Sequence, residues 1–322
     1  MLEKAIDNTT QNNYFVTELK RKNQEIDGLK EQLTQASEKE RLKLSYEIEA
    51  LITEKEQWEA KAKTLQERLR ESDMEVVQKV REILDTQGID EALVYLESID
   101  FEQHEKQSKE YAKALVIQAE LYDMNNKHQK AKETYQKSIK FHRTFSNSLN
   151  FVNYLSQQNS DVEALKELKI MELELELSEN EKIILLGSLA NRYAKQNELT
   201  KAEEAYNEAL TLYRALAETN PSAYNPDVAM TLNNLANLYS DRNQLERAEE
   251  AYNEALTLYR ALAETNPMAY GIDLAKMIIM GVDLFGLPKE NLNEAEEILK
   301  GFDEVYLAEY WLGVIEKIRE SK

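Results

Sequence analysis

Cysteine is absent from the 322 residues, which removes disulfides, thiolate nucleophiles and cysteine-ligated metals together and suits a reducing compartment. Stability must then come from packing. Proline (four) and glycine (eight) are scarce, so few kinks and few positive-φ turns can be built. The three histidines, His104, His128 and His142, form no HExxH or similar metal spacing, and no GxxxxGK or GxGxxG loop occurs to cradle a phosphate. The expectation is no catalytic residue, no metal site and no cofactor. No run approaches the ~20 apolar residues that cross a bilayer, and residues 1–13 lack an apolar secretory core. A cytoplasmic protein is expected.

What is abundant is charge. Asp and Glu number 60 against 40 Lys and Arg, a net charge of −20. Residues 1–72 carry 13 Lys/Arg against 15 Asp/Glu, so nearly all of the excess lies after them. A surface so acidic repels phosphate backbones and anionic headgroups. That argues against nucleic-acid and membrane binding and favours a basic or amphipathic protein or peptide partner. Carboxylate pairs such as Glu203–Glu204 and Glu249–Glu250 read as solvated helix surface and not as a general acid and base.

An internal repeat decides the fold class. Residues 202–221 read AEEAYNEALTLYRALAETNP, and residues 248–267 repeat the same twenty letters 46 positions later. Upstream, Leu186, Leu189, Ala190, Asn191 and Tyr193 match Leu232, Leu235, Ala236, Asn237 and Tyr239 at the same offset. Leu232, Leu235, Ala236 and Tyr239 form the i, i+3, i+4, i+7 stripe of one helix; Ala248, Ala251, Tyr252, Ala255, Leu256, Tyr259 and Leu262 form the stripe of the next. The unit is a helical hairpin with a turn at 241–244, and small alanines let its two backbones approach closely. The recurrence of Tyr206, Tyr213, Tyr252 and Tyr259 marks them as packing residues, not a ligand box.

LNNLANLYSDRNQLERAEEAYNEAL (232–256) resembles the tetratricopeptide repeat, and the longer unit beginning NPDVAMTLNNLA (225–236) resembles its kinesin-light-chain type, also common in bacterial multi-repeat proteins. The resemblance is strong over 183–267. Weaker copies are placed by the alanine that opens each second helix: Ala92, Ala131, Ala164, Ala202, Ala248 and Ala295 give six units, the outer four degenerate. Residues 305–318, with Ala308, Trp311, Leu312 and Ile315 on one stripe, read as a final capping helix. MELELEL (171–177) alternates like a strand but is expected to be helix, since Met, Glu and Leu favour helix and a lone strand has no pairing partner.

Before the repeats, apolar residues keep a 3,4 spacing typical of a coiled coil. The seam runs through Leu19, Asn23, Ile26, Leu33, Leu44, Ile48, Leu51, Trp58, Leu65 and Leu69. The step from Leu33 to Leu44 is eleven, a stutter, and Gly28 with polar Lys30, Ser37 and Glu40 weakens the first half. One helix from Val16 to Leu69, about 80 Å long at ~1.5 Å per residue, is expected to pair with its own copy in a homodimer, Asn23 favouring two strands. Folding back on the repeats or pairing with another protein are the alternatives.

The expected fold is thus all-α. Residues 1–72 form a long coiled-coil helix, 73–303 the hairpins of a superhelical α-solenoid that the resemblance implies is right-handed, and 304–322 a capping helix. In the resembling family the first helices line a concave groove. Met230, Asn233, Asn237 and Asp241 would therefore line it here, with Ile184, Gly187, Asn191 and Lys195 in the preceding unit; asparagine amides can both donate to and accept from the main chain of an extended ligand. The chaperone-adaptor subclass places a first-helix lysine where Gly187 and Asn233 stand, so carboxylate capture is not expected. The functional reading is a non-enzymatic protein-interaction scaffold. A sensor module of a larger signalling protein and a purely structural assembly are the alternatives.

Overall fold

The computed structural model of the chain describes residues 14–35, 38–70, 72, 74–99, 108–302 and 306–320. Among these every regular element is a helix and no strand occurs, the all-α class that the repeat predicts. His104 lies outside the described residues. The chain divides into two compact units, Met1–Gln158 and Asn159–Lys322.

The N-terminal unit holds α1 (Tyr14–Gln35), α2 (Glu38–Arg70), α3 (Glu75–Thr86), α4 (Ile89–Glu97), α5 (Ser108–Met124), α6 (His128–Phe141) and α7 (Phe145–Gln157). The expected single helix over Val16–Leu69 is two helices. They run antiparallel, since Phe15 meets Trp58 with ring centroids 6.0 Å apart and Lys22 Nζ meets Glu54 at 2.7 Å. Leu19, Ile26, Ile48, Trp58, Leu65 and Leu69 of the seam are buried; Asn23, Leu33, Leu44 and Leu51 are half-buried. The break falls inside the eleven-residue step between Leu33 and Leu44, where the seam offers nothing to a straight partner. Folding there lets the two halves bury each other without the entropy of bringing a second chain. The seam read as the contact of two chains is paired here within one.

Hairpin turns reuse one device. Asn126, Asn159, Asn197 and Asn243 all take a left-handed backbone with φ between 54° and 60°, a conformation asparagine tolerates better than most side chains. In three of them the N–H of the next residue returns to a tyrosine carbonyl five back: Lys127 to Tyr122, Glu198 to Tyr193 and Gln244 to Tyr239, each at 2.8 Å. This closes the first helix and satisfies a carbonyl that its end would leave bare.

The C-terminal unit holds α8 (Asp161–Glu174), α9 (Glu179–Lys195), α10 (Leu199–Thr219), α11 (Pro221–Asp241), α12 (Leu245–Thr265), α13 (Pro267–Phe285), α14 (Leu292–Lys300) and α15 (Tyr306–Glu320). The helix expected through residue 177 ends at Glu174, and Leu175 is extended at φ −107°. The next helix demands it: the Ser178 hydroxyl and the Glu181 carboxylate form a capping box that needs an extended approach.

The twin sequences fold alike, into the 21-residue helices α10 and α12. Their final Asn-Pro belongs to the helix that follows: Asn220 and Asn266 accept from the N–H of Ala223 and Ala269 at 3.3 and 3.2 Å, and Pro221 and Pro267 open α11 and α13. Ala202, Ala209, Ala236, Ala248 and Ala255 are fully buried between neighbouring helices. Tyr206, Tyr252 and Tyr259 join them in the core and Tyr213 is half-buried, as packing residues should be. α15 packs on α13 and α14 through buried Ala308 and Ile315.

Candidate protein-binding faces

At about 100° per residue, Met230, Asn233, Asn237 and Asp241 share one side of α11, and Ile184, Gly187, Asn191 and Lys195 the matching side of α9. Both rows face away from the core. Met230 and Ile184 keep 47% and 43% of their surface; Asn191, Lys195, Asn237 and Asp241 are exposed, and Gly187 and Asn233 are half-buried. Each exposed row runs from an apolar side chain through an asparagine to a charge.

The asparagines are held differently. Tyr206 Oη donates to Asn191 Oδ1 at 2.5 Å. The equivalent Tyr252 turns instead toward α13, where Gly281 makes room: a Cβ there would stand 2.1 Å from Tyr252 Oη. The Tyr252 hydroxyl is buried without a hydrogen-bond partner, and Asn237 lacks the tether that fixes Asn191. Burial pushes both phenols up to about 12. At the end of the α9 row, Lys195 Nζ lies 3.5 Å from Asp161 Oδ1, which Arg192 also reaches at 3.0 Å.

The N-terminal unit carries the same face in a different state. The opening alanines Ala131 and Ala248 align Asn233, Asn237 and Asp241 with Val116, Glu120 and Met124 of α5, and Ala164 aligns Asn237 and Asp241 with Asn153 and Gln157 of α7. Val116 and Met124 are only 2% and 8% exposed; α2 packs on α5 and shares a pocket with Glu120 and Met124. Gln57, Lys61, Thr64 and Arg68 recur at helical spacing on one side of α2, about 100° from the apolar seam. Lys61 Nζ binds Asp123 Oδ2 at 2.5 Å; Arg68 reaches Glu120 Oε1 at 3.2 Å and Asn150 Oδ1 at 3.1 Å.

These contacts border a half-open pocket of about 350 Å³ lined by α2, α5 and α7 and by Tyr135 of α6. Asp123, deeply buried, is also held by His128 Nδ1 at 2.8 Å. Glu120 Oε2 is buried with no partner. Burial pushes the Glu120 carboxyl up to about 7, against the pull of Arg68 and with a further push from Asp123. Sequence reasoning missed Glu120, Asp123, Lys61 and Arg68 as functional candidates. The alanine register would have found the first, and the seven-residue spacing of Lys61 and Arg68 beside the seam would have found the last two.

A family model described as a tetratricopeptide repeat matches residues 214–261, and a second of the same description matches 185–221. Residues 185–261 therefore carry tetratricopeptide repeats. Solved structures similar to this repeat protein include BtubC (BKLC) from P. vanneervenii, at 16% identity, covering 77% of this chain and 92% of that one with a TM-score of 0.48. A second is a signal-transduction ATPase with a tetratricopeptide repeat sensor from Pyrococcus horikoshii, at 14% identity and a TM-score of 0.51, covering 99% of this chain and 52% of that one. The repeat protein thus spans about half the length of the ATPase. Identities this low speak to the fold alone. Comparison with curated protein sequences finds no match. Among the described residues no helix is long and apolar enough to cross a membrane.

Proposed function

We propose that this repeat protein is a non-enzymatic scaffold that binds a segment of a basic or amphipathic protein along the α9 and α11 rows of its C-terminal unit. One observation carries the reading. At matching positions of successive repeats, an apolar residue, an asparagine and a charge stay out of the core while every neighbouring stripe position is spent on packing. Exposed Met230 and Ile184 offer apolar anchor points, and Asn237 offers an amide with both donor and acceptor. Six of the ten seam residues are buried within the chain, so the reading does not rest on the homodimer expected from the seam.

The test is selection of peptides from a displayed library by the whole chain, followed by binding to a variant with Met230, Asn237 and Asp241 changed to Ala. The reading predicts loss of selected binders on that variant and retention on one with Glu249 and Glu250 changed to Ala. Equal binding to both would remove the face from consideration.

A further inference from the structure

We infer that the side of α5 and α7 covered by α2 is a docking surface for a basic amphipathic helix, that α2 is its resident occupant, and that such a helix from another protein can replace it. This surface lies in the N-terminal unit and is separate from the α9 and α11 rows, so either assignment can fail alone.

Three observations lead there. First, Val116, Glu120 and Met124 hold the repeat positions that in α11 carry Asn233, Asn237 and Asp241. The position exposed in one unit is filled in the other, and the filling is a helix of the same chain. Second, the chemistry is complementary: α2 presents Lys61 and Arg68 two turns apart, and the surface answers with Asp123 and Glu120 at 2.5 and 3.2 Å. That fixes the partner's signature as a helix with two cations seven residues apart beside an apolar stripe. Third, α2 fits imperfectly. The contact leaves a half-open pocket of about 350 Å³ beside it and Glu120 Oε2 buried without a donor. An unmet buried polar group weakens a contact. A helix that brings a donor to Glu120 and fills the half-open pocket binds better than the resident.

The experiment uses the full chain and, as probe, a fluorescein-labelled peptide of residues 50–70. Binding is measured to the unaltered chain and to the Lys61→Glu, Arg68→Glu variant, with Arg68→Gln as a milder second variant should charge reversal prevent folding. Hydrogen exchange of α2 is followed in parallel. The expected result is capture at least about tenfold tighter by the released variants than by the unaltered chain, with saturating peptide raising exchange of α2 amides in the unaltered chain. A peptide carrying the same two reversals is expected not to bind. Capture that leaves α2 protected, or equal affinity for unaltered and released chains, overturns the proposal. So does dimerisation without peptide capture, which would assign the surface to α2 of a second copy.

Discussion

The two units treat one repeat position in opposite ways. In α11 the position of Asn237 faces solvent; in α5 the equivalent Glu120 lies under α2 and pairs with Arg68. Nothing in the hairpin geometry requires the difference, since both repeats close through the same left-handed asparagine and the same return to a tyrosine carbonyl. What differs is the charge written at that position and the presence of a helix with matching cations. In a solenoid each repeat is held mainly by its neighbours, so the exposed row of one repeat is free to change without refolding the rest, and binding chemistry can vary from repeat to repeat.

If the units are independent in this sense, damage to one should leave the other intact. The largest effect is expected from Gly281→Ala, whose Cβ would stand 2.1 Å from Tyr252 Oη and 2.7 Å from its ring. Tyr252 is enclosed and cannot move away cheaply, so α13 must shift, at a cost of about 3 kcal/mol or more. Hydrogen exchange should locate the loss in α12–α15 while α5 and α6 keep their protection. Equal loss in both units would break the comparison.

A smaller effect separates the units by pH. Glu120 has a folded carboxyl near 7 against an ordinary 4.5 because it is buried, with Arg68 of α2 pulling the other way, so folding of the N-terminal unit favours the protonated form. The unit should be most stable below about pH 4.5, lose stability as pH rises toward 7 and change little above that. At about 1.4 kcal/mol per unit, and with Lys61, Arg68, Asp123, His128 and Tyr135 around the carboxyl, the span is about 1–3 kcal/mol. Exchange of α2 amides, corrected for intrinsic rates, should report it between pH 5 and 7.5. Glu120→Gln should flatten the dependence, and a dependence surviving that change would assign it to another group.

The smallest effect distinguishes the two asparagines of the open face. Asn191→Ala removes the acceptor of the Tyr206 hydroxyl and should cost about 1 kcal/mol, while Asn237→Ala should stay within about 0.5 kcal/mol. Thermal unfolding of the two variants checks it, and equal losses would mean that the Tyr206 hydrogen bond contributes nothing.

The central hairpins were legible because an identical twenty-residue string leaves one interpretation, and the alanine that opens each second helix carried the register outward to α5 and α7. The N-terminal helices were legible only in part. Their 3,4 spacing shows that a seam must be covered, but says nothing about whether the cover is a second chain, another protein or the same chain. The step from Leu33 to Leu44 and the glycine at 28 were the signs of a fold-back, and a stutter alone explains the same letters. The open row was found from helix geometry. Its covered counterpart was not, because Glu120 in so acidic a chain looks like any other solvated carboxylate until Arg68 is seen beside it. The end of α8 at Glu174 was missed because Ser178 and Glu181, four to seven residues on, set it.

The chain contains no cysteine, so a single introduced thiol reports on its own position. Met124→Cys and Asp241→Cys occupy the same place in two repeats, one under α2 and one open. If α2 fills that face, the thiol at 124 should react with a maleimide at least about tenfold more slowly than the thiol at 241, since reaction requires access. Equal rates would contradict the claim that one repeat face is occupied in the N-terminal unit and open in the C-terminal one.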